Sequence, residues 1–163
     1  MIRKLHHNAY RCRDSEETRK FYEDFLGLPL VETLEIGQTK TGRATQALHT
    51  FYRLDDGSHL AFFETQDMPF EFKKQHDFDL HIALEVGAEV LQPMLDKGRE
   101  WNIEVRGPSD HGMIDSIYFR DPNGYVIELC AKRANHDALM DPAHNGSRDK
   151  LRRWTAAKSG TAA

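Results

Sequence analysis

Residues 81–86, His-Ile-Ala-Leu-Glu-Val, carry the pattern from which the fold of this 163-residue chain is predicted. Residues 7–12, His-Asn-Ala-Tyr-Arg-Cys, repeat it with a His, an Ala two places on, and apolar residues in alternation. A second pair of segments lies further along, with Asp-Gly-Ser-His-Leu-Ala-Phe at 56–62 and Asn-Gly-Tyr-Val-Ile-Glu-Leu at 123–129. The chain is therefore predicted to contain two halves of comparable length with the same order of elements.

Each half is predicted to form a strand, a helix and three further strands. Its apolar residues first alternate with polar ones, then follow the spacing of a helix, and then alternate again. Asp14 is expected to cap the first helix, and Gly27 to end it. The second helix is predicted over 88–101. The predicted strands are 5–12, 30–36, 47–54 and 58–64 in the first half, and 79–86, 103–106, 114–120 and 125–131 in the second.

These elements predict one α+β domain, and the chain length of 163 residues suits a single domain. Module one covers about 2–66, module two about 78–132, and a helical tail 134–163. The segment 66–78 links the modules and is expected to cover the site. The tail is predicted to be helical from Ser147 to about Ala157 and to dock through Leu151 and Trp154, which are three residues apart.

The composition excludes several classes of partner. The 22 basic and 26 acidic residues give a net charge of −4, which argues against a nucleic acid. No apolar run approaches the ~18 residues of a membrane span, and no apolar stretch follows the basic residues at the start, so a cytoplasmic protein is expected. Cys12 and Cys130 each lie in an apolar, strand-like run and are interpreted as buried thiols rather than as a redox or metal-binding pair.

Three residues are candidate metal ligands. Strand alternation places His81 on the face opposite Leu80, Ile82 and Leu84, away from the helices, and His7 is its equivalent in the first half. Glu128 interrupts an apolar run, where an unpaired carboxylate is costly to bury. Two imidazoles and one carboxylate suit Fe(II) or another divalent first-row ion. The alternatives are hydrogen-bonded structural histidines and a Glu paired with Arg.

The same residues resemble a known family. Leu-His-His-Asn-Ala-Tyr-Arg at 5–11 and Phe-Tyr-Glu-Asp-Phe-Leu-Gly-Leu at 21–28 resemble the first module of the vicinal oxygen chelate superfamily. Residues 80–86 and Phe-Arg-Asp-Pro-Asn-Gly-Tyr-Val-Ile-Glu-Leu at 119–129 resemble its second module. The resemblance covers about 2–132 and implies paired βαβββ modules that form an open, barrel-like mixed sheet around a metal. It also implies a homodimer, and leaves open whether modules pair within a chain or between chains.

Within this superfamily, the ligand set narrows the reaction. His7, His81 and Glu128 match its ligand positions, whereas Ala61 stands where glyoxalase I usually has a fourth ligand. This difference counts against glyoxalase I and the related epimerase. A His-His-Glu set is the pattern of the extradiol dioxygenases and of the fosfomycin-modifying enzymes.

The resemblance also indicates catalytic candidates. Tyr118, ten residues before Glu128, matches a substrate-binding Tyr of extradiol enzymes, although a Tyr occurs there in fosfomycin enzymes too. His59 lies near the position of an acid/base His of larger extradiol enzymes, and the resemblance places His111 near bound substrate. For these two histidines a surface or turn position is an equal alternative, and His49 is a further candidate.

The sequence therefore predicts an extradiol ring-cleavage dioxygenase, with Fe(II) or else Mn(II), that acts on a small catechol-type aromatic and O₂. One alternative is another divalent-metal enzyme: a lyase, an isomerase or a fosfomycin-type thiol transferase. A fosfomycin enzyme is expected to have a cation-rich pocket, for which Arg11, Arg53 and Arg106 are too scattered. The other alternative is a protein that binds a small aromatic molecule without chemistry.

Overall fold

The computed structural model describes residues 1–159, which form two four-stranded sheets and four helical segments. The strands are β1 (Tyr10–Arg11), β2 (Leu30–Gln38), β3 (Ala44–Arg53), β4 (His59–Thr65), β5 (His81–Glu85), β6 (Val105–Asp110), β7 (Ile114–Arg120) and β8 (Val126–Lys132). The helices are α1 (Ser15–Arg19, continued as a π-helical turn over Lys20–Phe25), α2 (Ala88–Glu100), α3 (His136–Met140) and α4 (Ser147–Ser159).

The two sheets have the same topology. Sheet one has the order β1-β4-β3-β2 and sheet two the order β5-β8-β7-β6. In each, the first strand runs parallel to the last, and the other neighbours are antiparallel. The predicted pair of βαβββ modules in an α+β fold with a C-terminal helix is confirmed.

The first helix begins and ends where the sequence predicts. The Asp14 side chain accepts a hydrogen bond from the backbone N–H of Glu17 at 2.8 Å, and Gly27 has a φ of +82°, which favours glycine. The π-helical turn between them directs Phe21, Tyr22 and Phe25 into the core, where all three are buried.

Helices cover only one face of each sheet. Tyr22 packs on Phe62 of β4 with ring centroids 4.6 Å apart, and Phe25 reaches across to Phe119 of β7 at 5.2 Å. Leu95 of α2 is buried in the same core. The opposite face of each sheet, called here its open face, carries no helix of its own module and holds the predicted site residues.

Apart from shifts of one to three residues at other element ends, four details differ from the sequence prediction. β1 is shorter than 5–12, and His7 joins the sheet only through an isolated bridge to His59. β6 begins at Val105 and extends to Asp110, because the backbone N–H of Ile103 is still bonded to the C-terminus of α2. The short α3 was not predicted. The prediction that α4 docks through Leu151 and Trp154 is wrong. The two residues are 66% and 67% exposed, because the core faces of both sheets are already covered.

Both cysteines are free thiols, as predicted, but only Cys12 is fully buried as expected. Cys12 is buried, and its burial raises the pKa of the thiol to about 11. Cys130 is half-buried, and burial raises its pKa as well. No helix within residues 1–159 is both long and apolar enough to cross a membrane.

Candidate metal centre

His81 and Glu128 meet on the open face of sheet two. β5 lies parallel to β8, with His81 opposite Val126 and Ala83 opposite Glu128. This register brings Nε2 of His81 to 3.4 Å from Oε2 of Glu128. The other ring nitrogen, Nδ1, lies 2.7 Å from the backbone carbonyl oxygen of Asp77. A neutral imidazole that donates from Nδ1 to a carbonyl presents the lone pair of Nε2 to the carboxylate.

Glu128 is a buried carboxylate with no Arg or Lys partner in the part of the chain that the structure describes. It is only 5% exposed, and the hydroxyl of the fully buried Ser116 donates a hydrogen bond to its Oε1. Among residues 1–159 no Lys or Arg forms an ion pair with it, so the alternative of a Glu–Arg pair does not apply. Burial of a charge requires compensation. A lone pair and a carboxylate that face one another fit a divalent cation, and a ligand His held by a backbone carbonyl is typical of metal sites. We call His81, Glu128 and Ser116 the half-site.

His7 lies on the open face of sheet one, among other rings. It is exposed, and its ring centroid is 5.5 Å from that of Phe51 and 6.1 Å from that of His49. Its Nδ1 is 2.8 Å from Nδ1 of His6, so one of the two nitrogens donates to the other.

His49 and His59 share that face with His7, as strand alternation predicts for His59. The His49 ring stacks on Phe63 with centroids 3.6 Å apart and planes 6° apart. Its Nδ1 lies 3.0 Å from the carbonyl oxygen of Phe62, and burial lowers the pKa of the imidazole. The ring centroids of His59 and Phe51 are 6.1 Å apart, with the two planes at 85°. We call His7, His49, Phe51, His59 and Phe63 the imidazole face.

Tyr118 and His111 form a hydrogen-bonded pair beside the half-site. Tyr118 is the register partner of Glu128 on β7, and its hydroxyl is 2.8 Å from Nε2 of His111. Burial and then the charge of Glu128 raise the pKa of the phenol. Tyr118 also lines a cavity of about 380 Å³, whose wall includes linker residues 75–77 together with Arg106 and Arg120. Linker residues 75–77 therefore border the cavity next to Tyr118.

A single chain does not assemble the three predicted ligands. Within residues 1–159, no three His, Cys, Asp or Glu side chains are placed so that they can hold one ion. His81 and Glu128 lie together on sheet two, whereas His7 lies on sheet one. The predicted ligand set is therefore divided between the open faces of the two sheets within one chain.

Two contacts of the half-site were missed from the sequence. Ser116 alternates with Tyr118 and faces the same way, so strand periodicity predicts its side of the sheet but not its bond to Glu128. Asp77 reaches His81 through its backbone, and no residue pattern marks such a contact.

The architecture defines a class of proteins with two βαβββ modules, each with helices on one sheet face and an open second face. Residues 4–129 match the family model of the Glyoxalase/Bleomycin resistance protein/Dioxygenase superfamily, and the chain belongs to this superfamily. This confirms the resemblance inferred from the sequence.

Individual relatives are distant. Lactoylglutathione lyases of two Neisseria meningitidis strains, of serogroups A and B, are 26% identical over 143 residues, covering 83% of this chain and 96% of theirs. Similar folds include the glyoxylase/bleomycin resistance protein/dioxygenase domain from Frankia sp. EAN1pec (TM-score 0.64, 14% identity, 82% of this chain and 100% of that one). The fosfomycin resistance protein FosX from Listeria monocytogenes, in a structure with Mn(II) and sulfate, has a TM-score of 0.60, 20% identity and coverage of 85% and 99%.

Proposed function

We propose that the protein is a divalent-metal-dependent enzyme whose site forms between two copies of the chain. His7 of one copy joins His81 and Glu128 of the other. The observation that carries this proposal is the face-to-face placement of the His81 Nε2 and the Glu128 carboxylate at 3.4 Å, on an open sheet face that lacks the third ligand. A symmetric dimer that apposes the open faces of sheets one and two supplies that ligand twice.

For the reaction, we propose extradiol ring cleavage of a catechol-type aromatic by O₂, with Fe(II) as the metal. Iron(II) held by three protein ligands supplies open coordination positions for substrate and for activation of O₂. Ala61 is fully buried on the open face of sheet one, at the position equivalent to Glu128, and offers no fourth ligand. The rings of Phe51 and Phe63 on the imidazole face suit contact with an aromatic substrate.

In the proposed reaction, residues of this chain carry out the proton transfers. The lowered pKa of His49 keeps its imidazole neutral at physiological pH, so that it accepts a proton from a catechol hydroxyl, and His59 is the second base on that face. The Tyr118 hydroxyl donates a hydrogen bond to a substrate oxygen, and His111 exchanges a proton with that hydroxyl.

A fosfomycin-type reaction is the second candidate, since the three-donor set and the fold are both compatible with it. The charges around the cavity favour the fosfomycin-type reaction less than ring cleavage. Arg106 is ion-paired with Asp77 and Arg120 with Glu104, so a phosphonate would compete with two carboxylates for these cations. A lactoylglutathione lyase activity is favoured still less, because Ala61 leaves the fourth ligand position without a donor.

Mixing two inactive variants tests the shared site. His7→Ala and Glu128→Ala each remove a ligand from both sites of a homodimer, but a mixed dimer contains one intact site and one doubly altered site. Random reassociation makes about half of the dimers mixed, so about one quarter of the wild-type metal capacity is expected to return. A mixture that binds no more metal than either variant alone would contradict the shared site.

Assays of the loaded protein separate the reactions. Protein reconstituted anaerobically with Fe(II) is expected to consume O₂ with a catechol and to release a yellow ring-fission product. The Mn(II)-loaded protein is tested in parallel for loss of fosfomycin with water or a thiol. Bound iron without O₂ uptake across a broad catechol panel rules out the dioxygenase, and fosfomycin turnover would replace it with the second candidate.

A further inference from the structure

Asp77 contacts two parts of the candidate site at once, although it lies in the linker and not on a strand. Its backbone carbonyl accepts the hydrogen bond from Nδ1 of His81. Its carboxylate accepts a hydrogen bond from Nη2 of Arg106 on β6. The turn that holds Asp77 is well defined, because the backbone N–H groups of Asp79 and Leu80 both donate to the carbonyl of His76, at 2.9 and 3.1 Å.

Arg106 also contacts Tyr118, on the other side of the half-site. It is the register partner of Tyr118, and its guanidinium carbon lies 4.3 Å from the centroid of the Tyr118 ring. A guanidinium over an aromatic face at this distance forms a cation–π contact. Tyr118 in turn is bonded to His111. The carboxylate of Asp77 therefore holds a cation against the ring of Tyr118, the register partner of Glu128.

Fold stability alone is a weak reason for this pair. The Arg106 side chain is 58% exposed and that of Asp77 is 25% exposed. Exposed ion pairs contribute little to folding stability, because water and salt screen them. The position of the pair, between a candidate ligand and a candidate substrate-binding Tyr, is the more informative observation.

We infer that Asp77 is a positioning residue of the half-site. Through its carbonyl it fixes the Nδ1–H tautomer of His81, with Nε2 toward Glu128, and through its carboxylate it anchors the turn to Arg106 and Tyr118. The inference rests on the proposed function, since the lone pair of Nε2 is useful only to a bound ion. It adds that the linker between the modules, and not only the strands, orders the site.

Metal-free protein gives the first readout. Nitrogen-15 NMR of the imidazole distinguishes the two tautomers, and the wild type is expected to hold His81 with the proton on Nδ1. Asp77→Asn keeps the carbonyl but releases the turn from Arg106, so a mixture of tautomers is expected. Arg106→Gln breaks the same ion pair from the other side and is expected to give the same mixture. Asp79→Asn, in the same turn but exposed, is the control and is expected to match the wild type.

Co(II) affinity gives the second readout. Asp77→Asn is expected to bind Co(II) about tenfold more weakly, in the range found for groups that orient a ligand His, with an altered visible spectrum. The losses in Asp77→Asn and Arg106→Gln are expected not to add in the double variant, because both act through one ion pair.

The outcomes separate this inference from the proposed reaction. If Asp77→Asn and Arg106→Gln match Asp79→Asn in both tautomer and Co(II) affinity, or if wild-type His81 carries its proton on Nε2, the inference is overturned. If both readouts change as expected while no catechol is turned over, the dioxygenase fails and Asp77 keeps its role. A wild-type protein that binds no Co(II) would overturn both proposals.

Discussion

The hydroxyl of Tyr22 donates a hydrogen bond to Oδ2 of Asp121 at 3.0 Å, between the helical segment of module one and the β7–β8 turn of module two. Both residues are buried, and Asp121 also accepts from the side chain of Asn123 and from the backbone N–H groups of Asn123 and Tyr125. Burial raises the pKa of Asp121 despite these donors. This hydrogen bond joins module one to module two inside the protein.

Tyr22→Phe is expected to destabilise the protein by about 1–3 kcal/mol, because a buried carboxylate loses a donor. The free energy of unfolding in urea measures the effect. Tyr52→Phe is the matched control: Tyr52 is equally buried, its ring centroid is 5.5 Å from that of Tyr22, and its hydroxyl has no hydrogen-bond partner among residues 1–159. A larger loss in the control than in Tyr22→Phe would contradict the role given to this bond.

Ser116→Ala is expected to weaken metal binding by roughly 10- to 100-fold, because the Glu128 carboxylate loses the donor that orients it. Titration with Mn(II) or Co(II) measures the change. Ser58→Ala alters a similarly buried hydroxyl, one that bonds Asp56 at a turn of module one, and is expected to leave metal affinity unchanged. Equal metal affinities in the wild type, Ser116→Ala and Ser58→Ala would show that Ser116 does not support the site.

Ala61→Glu adds a carboxylate at the position equivalent to Glu128. In the proposed shared site it becomes a fourth ligand, so Mn(II) is expected to bind more tightly. Catechol-dependent O₂ uptake is expected to fall at least tenfold, because the added ligand occupies a position that the substrate needs. Ala88→Glu, at an exposed position at the start of α2, is the comparison variant and is expected to leave both measurements unchanged. The prediction fails if O₂ uptake survives Ala61→Glu with metal bound.

Cys12 links stability to alkaline pH. Its pKa is raised from 9.0 in the unfolded chain to about 11 in the fold, so the neutral thiol contributes stability that is present below pH 9 and lost as pH rises toward 11. The difference in unfolding free energy between wild type and Cys12→Ala is therefore expected to shrink between pH 8 and pH 10.5. A difference that stays constant over this range would show that burial does not perturb the thiol.

Leu151→Ala with Trp154→Ala is expected to change stability by less than about 0.5 kcal/mol per site, because both side chains are exposed. Leu95→Ala, in the core, is expected to cost about 2–5 kcal/mol. Thermal unfolding of the two proteins compares them. Substantial destabilisation by the α4 changes would indicate that this helix docks in solution.

Local sequence patterns alone predict the two modules, the helix boundaries at Asp14 and Gly27, and the placement of His81 on the face opposite Leu80 and Ile82. These features follow from local periodicity and capping, in which neighbouring residues contain the whole signal. The folded chain was needed to show that His81 and Glu128 meet while His7 lies on another sheet, and that the Asp77 carbonyl contacts His81. Those relationships depend on which surfaces of the modules pack together, and contacts such as Tyr22 with Asp121 join residues that no local pattern connects.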